Sequence, residues 1–229
     1  VALYENGEFE GQHYIVAEFV NGHPFSALIQ NAAYDDRECA RWIRDVSRAL
    51  AYAHEQGVIH RDIKPANIML DVHKQPRLMD FGLAKRIDHD SSMTTDGLIL
   101  GTPAYMSPEQ ARAEHDIVGP KADQYSMGAV LYELLTRQKP FDGTVNAVLA
   151  FKAANQVPPP IHSISPKVPR DLVAICEKAM QVSPDDRYES VSDFASDLDN
   201  YLKGRPIQAR FAGPIERTIK WVRREPLVG

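Results

Sequence analysis

The stretch DQYSMGAVLYELLT, Asp123–Thr136, limits the fold more than any other part of the chain. Its apolar residues run around nearly the whole circumference of a helix, which leaves few positions to meet water. Such a helix belongs at the centre of a core, with other elements packed around it. The chain supplies them. From Asp35 the apolar positions Ala40, Ile43, Val46, Leu50 and Ala53 recur at helical spacing, with Asp35 or Asp36 as cap and Gly57 as stop. TVNAVLAFKAAN, RDLVAICEKAM and SVSDFASDLDNYLK read as further amphipathic helices, separated by VPPP and SPDDR loops. Ahead of them, VALY and HYIVAEFV are β-rich, are parted by the turn-like ENGEFEG, and read as two antiparallel strands. VIHRDIKPANIMLD and QPRLMDFG read as short strand–loop pieces. Few strands followed by many helices define an α+β class, with the helices segregated from the sheet.

Composition narrows the function. The chain has 229 residues, enough for one substantial domain or a domain plus an appendage. A net charge of -5 argues against a nucleic-acid partner, which calls for a basic face. The charge is uneven: from Lys203 onward the tail carries +5 and the remainder -10. Cys39 and Cys176 lack metal-ligand spacing and make no disulfide framework; they read as small buried hydrophobes in a reducing, cytoplasmic setting. No apolar run approaches the roughly 18 residues of a spanning helix.

The chemistry gathers in HRDIKPANIM, His60–Met69, and in the DFG that follows at Asp80. Phosphoryl transfer asks a protein to position groups and neutralise charge. Asp62 is a candidate acceptor for the proton of an attacking hydroxyl, and Lys64 a candidate cation for phosphate charge. Magnesium takes hard oxygen ligands, which the Asn67 amide and the Asp80 carboxylate offer. Gly82 after Phe81 permits the sharp turn that faces a metal ligand inward. Each residue alone is an ordinary loop residue; their order and spacing together make coincidence negligible.

HRDIKPAN, DFG and GTPAYMSPE resemble the catalytic loop, metal-binding motif and activation-segment end of the eukaryotic-type (Hanks-type) protein kinases, in order over nearly the whole chain. The resemblance implies a kinase fold with residues 1–20 as a small-lobe remnant, 21–203 as hinge and large lobe, and 204–229 as a basic tail. It implies ATP and Mg2+ as cofactors and protein Ser/Thr hydroxyls as acceptors, since Lys64 and GTPAY, with Thr102 beside Asp62 and Lys64, mark the serine/threonine branch. Glu109 is expected to pair with Arg187. Asp123 is expected to accept hydrogen bonds from the catalytic-loop backbone, a role compatible with capping a helix. In the hinge AEFVNG, the Glu18 carbonyl and Val20 amide are the implied adenine contacts. Met69 lies beneath the ring or is simply a core residue, and Ala17 guards the back pocket. Arg61 beside Asp62 implies a phosphorylated activation segment, with Thr94 and Thr95 first among Ser91, Ser92, Thr94 and Thr95.

The same resemblance calls for a Gly-rich loop, a strand lysine and a helix glutamate. None is present: no lysine precedes Lys64, and neither GEFEG nor GLILG has the spacing of a phosphate loop. VALY and HYIVAEFV would be the fourth and fifth strands. The start without Met reads as a cut edge, so the expected chain is an amino-terminally truncated kinase with poor or no transfer; the competing reading is a protein that has lost these parts. The tail YLKGRPIQARFAGPIERTIKWVRREPLVG is similar to the segment after the catalytic domain in membrane-anchored bacterial kinases, especially of planctomycete type. There Trp221, Arg223 and Arg224 would suit the cytoplasmic edge of a spanning helix that follows Gly229; a basic helix packed on the domain is the alternative. A pseudokinase or scaffold is the second functional reading. A small-molecule phosphotransferase is the third, with Lys64 and GTPAYMSPE against it.

The small side chain of Ala17 is expected to leave a roomy back pocket. Ala17→Met should weaken nucleotide-site inhibitors that carry bulky groups, measured by competition binding; equal potency on both forms would contradict it.

Overall fold

The computed structural model describes residues 1, 3–9, 12–31, 33–80 and 103–210. The elements named below all fall within them. The expected sites Phe81, Gly82, Ser91, Ser92, Thr94, Thr95 and Thr102, and the tail residues Trp221, Arg223 and Arg224, lie outside the described residues.

The first helix of the large body, α2 (Asp36–Glu55), starts where its chemistry dictates. The Asp35 carboxylate accepts from the Glu38 N–H at 2.7 Å, and the Glu38 carboxylate accepts in return from the Asp35 N–H at 3.2 Å. This reciprocal cap satisfies two N–H groups that a helix start otherwise leaves bare. Cys39, Ala40, Trp42, Ile43, Val46 and Leu50 form its buried face. Past its end Gly57 takes φ 74°, a left-handed turn that an L side chain resists.

α2 packs against the central helix α4 (Pro120–Thr136) and the late helix α8 (Val191–Leu202). Every residue of α4 from Ala122 to Thr136 is buried. Each fully buried Leu or Val there contributes about 1.5–3 kcal/mol. The polar residues of α4 are bonded rather than stranded. Gln124 donates to the Tyr188 carbonyl and accepts from its N–H, Ser126 donates to the Tyr105 carbonyl, and Thr136 donates to the Tyr132 carbonyl. α7 (Arg170–Ala179) approaches α4 closely at Gly128, where a Cβ would lie 2.8 Å from the Met180 side chain. Helices α5 (Val145–Ala153) and α3 (Pro108–Ala111) pack together beside α4, and α6 (Ile161–Ile164) lies on it.

The strands are few. β1 (Leu3–Phe9) and β2 (Gln12–Ala17) form an antiparallel pair, and β3 (Gly22–Pro24), β4 (Ile68–Asp71) and β5 (Pro76–Leu78) form a separate antiparallel sheet in that order. β1 continues through the stretch read from sequence as a turn. Asn6 and Gly7 pair with Ile15 and Tyr14, and the Tyr14 hydroxyl donates to Glu5 at 2.6 Å. Ladder bonds and this cross-strand contact outweigh local turn preference. Between β3 and α2 lies the seven-residue helix α1 (Phe25–Asn31), which buries Phe25 and Ile29 one turn apart. Few strands and a mainly helical body make the fold α+β. Among the described residues no helix is long and apolar enough to cross a membrane.

One buried ion pair ties α3 to the segment between α7 and α8. Arg187 and Glu109 are 3% and 0% exposed, so neither charge is relieved by water. Arg187 places all its N–H groups on acceptors: Nε on the Gln181 carbonyl, Nη1 on Glu109 and the Lys121 carbonyl, Nη2 on Glu109 and the Val182 carbonyl. The two links to the carboxylate are 2.7 and 2.8 Å, the bidentate geometry of a guanidinium. Glu109→Ala should lower the unfolding free energy by about 3–5 kcal/mol, because it leaves the guanidinium buried and uncompensated. Urea unfolding measures this; a loss below about 1 kcal/mol would show the cation relieved another way.

Candidate active site

The loop from His60 to Asn67 is short of regular structure and is fixed from beneath. Asp123, near the start of α4 and 1% exposed, accepts from the His60 N–H at 2.8 Å and the Arg61 N–H at 2.7 Å, one on each carboxylate oxygen. His54, on the last turn of α2, adds a third contact to Asp123 at 2.8 Å through Nε2. Arg61 sits at φ 67°, a region costly for a side chain of its kind, of order 1–3 kcal/mol. Two bonds hold it there: its N–H on Asp123, and its carbonyl accepting from Gln110 Nε2 at 3.0 Å. Gln110 also closes the cap of α3, accepting from the Ser107 N–H at 3.1 Å. One side chain thus starts α3 and braces the loop.

The next turn brings the candidate groups together. Lys64 Nζ lies 2.7 Å from Asp62 Oδ2, with both side chains partly open to solvent. Asn67, 8% exposed, closes a three-residue helical turn, Pro65–Asn67. Its Nδ2 donates to the Asp62 carbonyl at 2.9 Å and to Asp62 Oδ2 at 3.3 Å. Because the amide nitrogen faces Asp62, its oxygen points the other way.

Asp80 arrives from β5. The Met79 N–H donates to the Asn67 carbonyl at 2.8 Å, and the Met79 carbonyl accepts from His60 Nε2 at 2.7 Å. A carbonyl only accepts, so His60 carries its proton on Nε2 and its Nδ1 accepts from the Asp62 N–H at 3.3 Å. These bonds stitch the Asp80 strand to both ends of the Asp62 loop. Asp80 itself is exposed and takes φ 55°, which an aspartate tolerates better than most.

The hinge reaches the same floor. The Asn21 carbonyl accepts from the Val72 N–H at 3.1 Å, which ties the chain after Glu18–Val20 to the end of β4. Val20 is 8% exposed and Glu18 and Met69 are half-buried, whereas Ala17 at the end of β2 is exposed. Met69 stands on β4 opposite Pro24 and Arg77.

Downstream of the loop, residues 103–107 rest on α4. The Tyr105 hydroxyl donates to Glu133 at 2.5 Å, and burial raises the Glu133 carboxyl above its usual range. His54, Gln110 and Glu133 were not among the residues expected from the sequence. Gln110 and Ser107 do carry a legible signal, the S-x-x-Q of a capping box.

Asp62, Lys64 and Asn67 thus share one loop, braced by the buried carboxylate of Asp123 on the central helix and joined to the chain that carries Asp80. The sequence profile of the protein kinase domain matches residues 1–197, and the chain belongs to that family. Curated relatives are similar over most of it. The chain is 39% identical over 210 residues to the probable serine/threonine-protein kinase PknB of Bifidobacterium longum, covering 90% of this chain and 30% of that protein. It is 35% identical over 214 residues to the serine/threonine-protein kinase PknB of Mycobacterium leprae, and 36% over 215 residues to that of Mycobacterium tuberculosis. Each of these two matches covers 91% of this chain and 34% of the relative. The chain therefore spans about a third of the length of the curated relatives it matches.

Proposed function

We propose that this chain is the ATP-binding and catalytic large-lobe region of a protein serine/threonine kinase, transferring the γ-phosphoryl group of ATP to Ser and Thr hydroxyls of proteins. The single observation that carries the reading is the bonded cluster of Asp62, Lys64 and Asn67. Asp62 takes the proton of the attacking hydroxyl as its oxygen bonds to phosphorus and the bond to the ADP oxygen breaks. Lys64, which rests on Asp62 in this structure, moves its ammonium onto the charge of the phosphoryl group in transit. Asn67 holds the Asp62 carboxylate in register through Nδ2.

The donor set fits Mg2+: an amide oxygen at Asn67 and a carboxylate at Asp80 are hard ligands. Among the described residues no cluster of three or more His, Cys, Asp or Glu could hold a metal ion. An ion held by Asn67 and Asp80 would neutralise phosphate charge. Glu18, Val20 and Met69 are assigned to adenine and Ala17 to the back pocket. Arg61 and Thr102 are assigned to the organisation of the activation segment, with Thr94 and Thr95 as phosphate acceptors. The division at residues 20 and 203, a cytoplasmic placement and anchoring beyond the +5 tail belong to the same proposal. The tail's charge supports the anchoring.

Asp62→Asn should lower transfer of labelled phosphate from ATP to a generic protein substrate by at least about a hundredfold, measured on the natural full-length protein. The wild-type product should be phosphoserine and phosphothreonine, with self-phosphorylation mapping between Ser91 and Thr102. Equal inertness of both forms would overturn the catalytic reading in favour of a scaffold that binds partners.

A further inference from the structure

Lys152 is the strangest charge in the molecule. It sits on α5 and is 0% exposed, although a lysine ordinarily keeps its ammonium in water. No carboxylate pairs with it in the salt bridges of the described residues. Its Nζ donates to the Met106 carbonyl at 2.7 Å and to the Tyr125 hydroxyl at 3.3 Å. The rings of Tyr125 and Phe141 lie 4.7 and 4.5 Å from it, close enough for cation–π attraction. Met106 belongs to the segment 103–107 that leads from the activation segment into α3. Its carbonyl is held by this ammonium across 46 residues of sequence.

We propose that Lys152 is the positioning residue of the protein-substrate platform: its ammonium, caged by Tyr125 and Phe141, clamps the 103–107 segment to α5 through the Met106 carbonyl. The platform role rests on the kinase reading above; the clamp itself is a property of the free domain.

The clamp is sensitive to pH. Burial, reinforced by Arg187 and opposed by Glu109, brings the Lys152 pKa from its ordinary value down to about 7. The groups facing it are few. Tyr125 comes from α4, Glu109 from α3 and Arg187 from the segment before α8. Arg112 meets Asn155, three residues after Lys152 and just past the end of α5, at 2.7 Å. Below about pH 7 the ammonium makes a charge-assisted bond to Met106, and above it a neutral amine makes a weaker one. Linkage runs the other way. An unfolded lysine keeps its proton to about pH 10.4, so between the two values the unfolded chain binds more protons. There Lys152 makes the folded state gain global stability as pH rises, while its bond to the Met106 carbonyl, with Nζ still buried in its cage, weakens and the grip on residues 103–107 loosens. Opposite signs from one group separate a clamp from a merely structural lysine.

The test is hydrogen exchange at pH 6 and pH 8.5, corrected for intrinsic rates, on this chain and on Lys152→Met, which keeps the stem and removes the ammonium. The expected result is a fall of about tenfold in protection of residues 103–112 in the wild type between the two pH values. Lys152→Met should show the lower protection of residues 103–112 at both pH values. Wild-type protection that does not change with pH, or equal protection in the variant, would overturn the clamp. A measurement on the wild type alone guards against a misfolded variant: the Lys152 Nζ resonance should titrate near pH 7, and a midpoint near the ordinary lysine value would overturn it. Neither readout needs phosphoryl transfer, so an inert enzyme counts against the kinase reading and leaves the clamp standing.

Discussion

The buried carboxylate of Asp123 is the point on which the site depends. One oxygen accepts from the Arg61 N–H; the other accepts from the His60 N–H and meets His54. The stretch from His60 to Lys64 has no ladder to satisfy its backbone, and an unpaired buried N–H costs about 1–3 kcal/mol. Asp123 supplies that satisfaction from a helix buried along its whole inner length. The position of Asp62 is therefore inherited from the core. The same carboxylate helps hold Arg61 at φ 67°, a strain the loop could not keep alone.

From this anchor the structure extends in two directions. Toward the strands, His60 and Asn67 bond both sides of Met79 and carry Asp80 beside the loop. Toward the platform, Gln110 ties the Arg61 carbonyl to α3, and α3 is held by the Glu109–Arg187 pair. Lys152 then joins α5 to the chain just before α3. The Asp62 loop, the segment leading into α3 and the late helices are thus connected by charged or amide side chains, of which Asp123, Gln110, Arg187 and Lys152 each bond a main-chain group. Polar bonds of this kind fix position where apolar packing alone permits sliding.

Much of this was legible because it follows from local rules. Asp35 and Glu38 announce the start of α2, and the apolar circumference of Asp123–Thr136 announces burial. The motif residues Asp62, Lys64 and Asn67 are readable by spacing, and hydrogen bonds join all three in the structure. What was illegible depends on distant partners. β1 runs past its turn-like residues because β2 supplies ladder bonds and Tyr14. α1 is too short for a periodic signal, and its burial becomes evident only when Phe25 meets Trp42, ring to ring at 5.6 Å. Nothing local in TVNAVLAFKAAN marks Lys152 for burial; only folding brings Tyr125, Phe141 and Met106 around it.

The central claim is that the core-anchored loop and the residue Asp80, just past β5, present a hard-oxygen site for a nucleotide-bound cation. The most direct measurement is a crystal structure of the domain with an ATP analogue and Mg2+. The expected result places the Asn67 amide oxygen and an Asp80 carboxylate oxygen about 2.0–2.1 Å from the metal, with Asp62 unligated and facing the acceptor side. A nucleotide complex with both Asn67 and Asp80 turned away from every cation would contradict it.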